Sequence, residues 1–71
     1  MRNIKSERER KNLTQDALAS KLGVSRDTVS TWENGITPIK SSKLEEMADL
    51  FECSIEYLLG RTNDRLPVKT Y

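Results

Sequence analysis

The sequence predicts an all-α fold of five short helices, the second and third joined at a sharp bend, and three observations predict it. Apolar residues recur at helical spacings: Leu18 with Leu22, Val29 with Trp32, and the longer stripe Leu44, Met47, Ala48 and Phe51. Each of these stretches, and the short one after Cys53, follows a residue whose hydroxyl suits a helix N-terminus, namely Thr14, Ser25, Ser42 and Ser54. Only Leu22-Gly23-Val24 separates the two middle patterns, and Gly23 accepts the left-handed backbone that stops a helix and turns the chain. Two helices joined in this way are not collinear, and the expected geometry is a helix-turn-helix.

Composition narrows the class. Seventy-one residues make one domain with a thin core and little room for an enclosed active site. With 35% hydrophobic and 32% charged residues the chain suits a soluble helical domain, not a disordered or membrane-embedded one. It has no apolar run of spanning length and no signal-peptide pattern. Cys53 is the single cysteine, so no internal disulfide can form; a reducing cytoplasm is the expected compartment, with Cys53 packed as a small apolar residue. The chain lacks histidine, a glycine-rich phosphate loop, a metal-ligand cluster and a nucleophile beside a base. No enzyme activity, cofactor, metal or small-molecule ligand is therefore expected.

The net charge of +1 is less informative than its distribution. Residues 1–40 hold eight Lys/Arg against five Asp/Glu, a balance of +3, whereas residues 41–71 hold four against six, a balance of −2. The half with the bend is the basic half, as a surface meeting phosphate should be.

In chain order, residues 2–12 predict a first helix rich in alternating charge, with Ile4 inward. Glu7 is not expected to fill the next inward place, and Arg8 lies four residues after Ile4. A second helix is predicted over 15–21, capped by Thr14, with Asp16 in its first turn and Leu13 placed to meet Leu18. Ala19 leaves room for Val29 where the helices cross; a leucine there would wedge them apart. A third helix over 26–33 turns Val29 and Trp32 inward and leaves Ser25, Arg26, Asp27, Ser30 and Thr31 on or near the outer side. Asn34-Gly35 ends it, and Pro38 blocks continuation. A fourth helix is predicted from Ser42, whose spacing to Glu45 makes a capping box, with Glu45, Glu46, Asp49 and Glu52 forming an acidic outer face. A fifth, over 55–59, has Ser54 as its cap, Gly60 as its stop, Ile55, Leu58 and Leu59 closing the core, and Tyr57 partly exposed. Residues 1–60 are expected to form the domain and 61–71 a tail: flexible, a dimerisation strand, or the start of a linker, with Leu66, Val68 and Tyr71 around a proline.

Taken together, Leu13-Thr14-Gln15, Leu18-Ala19, Lys21-Leu22-Gly23-Val24-Ser25, Val29-Ser30, Trp32-Glu33-Asn34-Gly35 and Ser54-Ile55-Glu56-Tyr57-Leu58-Leu59-Gly60 resemble the phage lambda repressor/Cro-like, or Xre-like, helix-turn-helix regulators. The resemblance runs from about Ile4 to Gly60. It implies a compact five-helix lambda-repressor-like DNA-binding domain whose helix-turn-helix core is Leu18, Ala19, Leu22, Gly23, Val24, Val29 and Trp32. It further implies a cytoplasmic transcription regulator, a repressor by first expectation, with the third helix in the major groove of an operator. Two-fold homodimers on a near-palindromic double-stranded site would then read half-sites about 34 Å apart.

The implied base readers are Arg26, whose fork matches a guanine edge, Asp27, accepting from a cytosine amino group or holding Arg26, Thr31, offering a methyl to thymine, and Ser25 and Ser30. The implied phosphate contacts are Thr14, Gln15, Asn34, the Gly35 and Ile36 amides, Thr37 and Lys40. Arg8 is implied to pair with Glu33 and dock the first helix on the third. Read without the family, Arg8 equally belongs to a solvated charged face, and Gln15, Arg26 and Asp27 are ordinary first-turn surface residues. A second function class stays open: a protein-interaction module, such as an antitoxin or adaptor, working through the acidic face of helices four and five.

Overall fold

A computed structural model describes residues 2–35 and 37–64. Among the described residues the chain forms α1 (Ile4–Arg10), α2 (Gln15–Leu22), α3 (Arg26–Glu33), α4 (Ser41–Phe51) and α5 (Ile55–Leu58), and no strand. None of these helices is long and apolar enough to cross a membrane. Predicted positions Ile36, Leu66, Val68 and Tyr71 lie outside the described residues.

Local chemistry sets most boundaries. Thr14 Oγ1 accepts from the Ala17 N–H (3.1 Å), Ser25 Oγ from Thr28 (3.2 Å) and Ser54 Oγ from Tyr57 (3.1 Å), so three helices start at hydroxyl caps. At the end of α2, Gly23 takes φ 69° and ψ 34°. Its N–H donates to the Ser20 carbonyl (3.3 Å) and that of Val24 to Ala19 (3.0 Å), which closes the helix and turns the chain into α3. Asn12 (φ 57°) and Glu52 (φ 56°) repeat this ending for α1 and α4. After Asn12 the Leu13 N–H returns to Arg8 O (3.0 Å), and after Glu52 the Cys53 N–H returns to Ala48 O (3.1 Å).

The core holds Ile4, Leu18, Ala19, Leu22, Val29, Trp32, Leu44, Met47, Phe51, Cys53 and Leu58 in one cluster. Leu13, Val24, Ile39, Leu50, Ile55 and Leu59 pack against it while partly exposed. The predicted apolar faces of α2, α3 and α4 are those that are buried, and Cys53 is a buried free thiol.

Three sequence expectations are corrected. First, α1 is shorter than 2–12: Asn3 is tied to α5, its N–H donating to Leu58 O (2.9 Å) and its Nδ2 to Tyr57 O (2.7 Å), and Asn12 turns left-handed at the other end. Second, Glu7 does fill the inward place, 3% exposed, because its carboxylate accepts from Arg10 Nε (3.1 Å) and thereby meets the condition for burying a charge. Third, α4 begins at Ser41, with extended Lys40 as its N-cap and no side-chain cap bond, so the Ser42–Glu45 capping box does not form. That start places Lys43 so that its Nζ donates to Leu22 O (2.6 Å) at the open end of α2, a tertiary bond that outweighs a local box.

Candidate nucleic-acid interface

The first turn of α3 stands exposed. Ser25, Arg26 and Asp27 all lie on the surface while Val29 and Trp32, one turn on, are buried at 0% and 5% exposure. Ala19, at 3%, belongs to the same buried cluster as Val29 and Trp32. The start of α3 is thus carried outward by a packed two-helix unit.

Behind it runs a polar clamp. Arg8 Nε donates to Glu33 Oε2 (2.6 Å) and Arg8 Nη2 lies 3.4 Å from Glu33 Oε1, with the side chains only 10% and 5% exposed. Arg8 Nη1 also donates to the Leu13 carbonyl (2.7 Å), linking α1, the α1–α2 connection and the end of α3. Gln15 joins the clamp: its Nε2 donates to Glu33 Oε1 (3.0 Å). An amide nitrogen carries two N–H groups, so this bond leaves Gln15 a second donor at the start of α2. Arg2 Nη1 donates to the Trp32 carbonyl (2.9 Å), satisfying the C-terminal end of the same helix.

The remaining sequence-predicted positions fall into two groups. At the α3 start, Ser25 Oγ is held by the Thr28 N–H and shares a hydrogen bond with the Thr28 hydroxyl (2.9 Å), and Arg26 Nε lies 3.9 Å from Asp16 Oδ1. The carboxylate beside Arg26 is therefore on α2, not at the neighbouring Asp27. At the α3 end, Thr31 Oγ1 donates to Thr28 O (2.9 Å) and accepts from Thr37 Oγ1 (3.3 Å), which ties the following loop to the helix. Asn34 is exposed beside that loop, Ser30 half-buried, Thr14 exposed at its cap, and Lys40 exposed at the N-cap of α4.

One residue at this face escaped the sequence reading: Asp16 read only as a first-turn acid favoured by the helix dipole, and its partner Arg26 becomes visible only when α2 and α3 are folded together. The α4 face carries Glu45, Glu46, Asp49 and Glu52, all exposed. Among the described residues no group of three or more His, Cys, Asp or Glu is placed to hold a metal ion.

A short helix whose first turn projects from a two-helix unit with a left-handed glycine at its bend defines a helix-turn-helix domain. The chain belongs to the helix-turn-helix family, of the lambda repressor/Cro type: the family profile matches residues 4–58. It is similar to the uncharacterized HTH-type transcriptional regulator YqaE of Bacillus subtilis, 32% identical over 65 residues that make up 90% of this chain and 56% of that protein. It is also similar to the antitoxin PezA of Streptococcus pneumoniae, 31% identical over 70 residues, 99% of this chain and 44% of that one. The chain thus spans about half the length of these relatives.

Proposed function

We propose that this chain is the DNA-binding part of a transcription regulator that reads operator sequence with the first turn of α3. The observation that carries the reading is the exposure of Ser25, Arg26 and Asp27 at the tip of a helix whose other face is locked by Val29, Trp32 and the Arg8–Glu33 pair. In this reading Arg26 contacts a guanine edge, with Asp27, Ser30 and Thr31 as further base-facing positions and Ser25 beside them. Thr14, the second N–H of Gln15, Asn34, Thr37 and Lys40 meet phosphates on either side. The protein acts as a repressor in the cytoplasm, as a homodimer on a near-palindromic operator with half-sites about 34 Å apart. Residues 1–60 are the reading domain, and the segment after them serves dimerisation or linkage.

The similarity to an antitoxin favours a second reading, in which the same fold docks a protein. Its surface would be the open groove of about 490 Å³ lined by Ala48, Cys53 and Ile55 and rimmed by Asp49, Glu52 and Glu56.

Selection of bound duplexes from a random pool, followed by gel shift at low and physiological salt, tests the first reading. A recovered near-palindrome is expected. Arg26→Ala should then relax base preference, and Gln15→Ala should weaken binding evenly across sequences. Recovery of no duplex at either salt favours the protein-docking reading.

A further inference from the structure

The tip of α3 carries more negative than positive charge. Arg26 is the cation there, Asp27 follows it in the helix, and Asp16 faces it across the bend, with Arg26 Nε 3.9 Å from Asp16 Oδ1. Gln15, the neighbour of Asp16, is turned instead to Glu33 (3.0 Å), and the Ser25 hydroxyl is bound by Thr28. The group on α2 that meets the reading arginine is therefore a carboxylate.

Two physical consequences follow from that contact. A guanidinium approached at Nε keeps its two terminal amino groups as a planar fork, the arrangement that fits O6 and N7 of guanine. The Asp16 carboxylate beside the guanidinium and the exposed Asp27 in the same helical turn also oppose the sequence-independent attraction between a basic tip and phosphate. The pair is 61% and 78% exposed, so it contributes little to folding, and its effect should fall on binding.

We propose that Asp16 is a specificity-determining positioning residue: it orients the Arg26 guanidinium for a guanine edge and, with Asp27, weakens engagement of non-cognate duplex. Specificity is a difference of affinities, and an acid that repels the wrong site raises it as surely as a donor that binds the right one. The inference rests on α3 being the DNA-reading helix.

The test uses the duplex selected by the wild-type protein and the same duplex with the Arg26-dependent guanine replaced. Binding of wild type, Asp16→Asn, Asp16→Glu and Arg26→Ala is followed by fluorescence anisotropy at about 0.1 M salt, where charges within about 10 Å still interact. The Arg26 Nε–H signal of the DNA-free protein is followed by NMR. Asp16→Asn is expected to shift that signal, to raise non-cognate affinity about threefold and to cut discrimination at the guanine about fivefold, while Asp16→Glu restores discrimination. An unmoved Arg26 signal with unchanged discrimination in Asp16→Asn, alongside loss of discrimination in Arg26→Ala, overturns the role of Asp16 and leaves the DNA reading standing. A wild-type protein that selects no duplex overturns both.

Discussion

The buried clamp beneath the reading helix makes the most demanding prediction. Glu33 is 5% exposed at its side chain and its carboxylate faces three donors: Arg8 Nε at 2.6 Å, Arg8 Nη2 at 3.4 Å and Gln15 Nε2 at 3.0 Å. Glu33→Ala leaves the Arg8 guanidinium, 10% exposed, with only the Leu13 carbonyl as a described acceptor. Removing one partner of a buried pair costs about 3–5 kcal/mol. At about 0.05–0.15 kcal/mol per residue, a chain of this length has about 4–10 kcal/mol in total, so this single change should remove about 30% or more of the stability. Arg8→Met should cost about 3 kcal/mol by the converse route, leaving a buried carboxylate.

The double variant Arg8→Met/Glu33→Leu removes both charges. What remains is the loss of partners for the Leu13 carbonyl and the Gln15 amide, about 1 kcal/mol each. The cycle should therefore show a coupling of at least about 3 kcal/mol, read by urea unfolding with far-UV circular dichroism. Because the pair is buried, the single-variant losses should be nearly the same at 0.05 and about 1 M salt. Additivity of the two single losses to within about 0.5 kcal/mol would refute the claim that these groups act as one buried unit.

Three further outcomes are expected. Ala19→Leu places extra volume at a 3% exposed helix crossing and should cost about 1–3 kcal/mol in thermal unfolding, with Ala19→Gly milder at about 1 kcal/mol; a fully stable leucine variant would mean that α2 and α3 do not meet there. Lys43→Met removes the ammonium at 2.6 Å from Leu22 O and should cost about 1.5–3 kcal/mol in urea, an effect that a merely solvated lysine would not show. Glu52→Gly relieves a left-handed residue (φ 56°) at the end of α4 and should raise the midpoint by about 4 °C, less the exposed Lys11 contact at 3.3 Å; a lowered midpoint would contradict the strain argument.

Capping hydroxyls, the glycine at the bend and helical apolar stripes act within a few residues of chain, and all three were legible in the sequence. They determined that α2 and α3 exist, where they part and which faces turn inward, including Leu18, Leu22, Val29 and Trp32. The family resemblance rested on the same local features. The tertiary structure decided what the charged residues do. Arg2 and Lys43 donate to the last carbonyls of α3 and α2, and Arg10 Nη2 to Phe51 O (3.1 Å) at the end of α4. Glu7 is buried, Ser42 loses its predicted capping role to the register Lys43 needs, and Asp16 meets Arg26 across the bend. Apart from Arg8 and Glu33, whose pairing the family resemblance implied, an ionic side chain reads as solvated surface in a one-dimensional pattern. Whether it remains so depends on which backbone end or opposite charge another helix brings within hydrogen-bond reach, and no spacing along the chain encodes that distance.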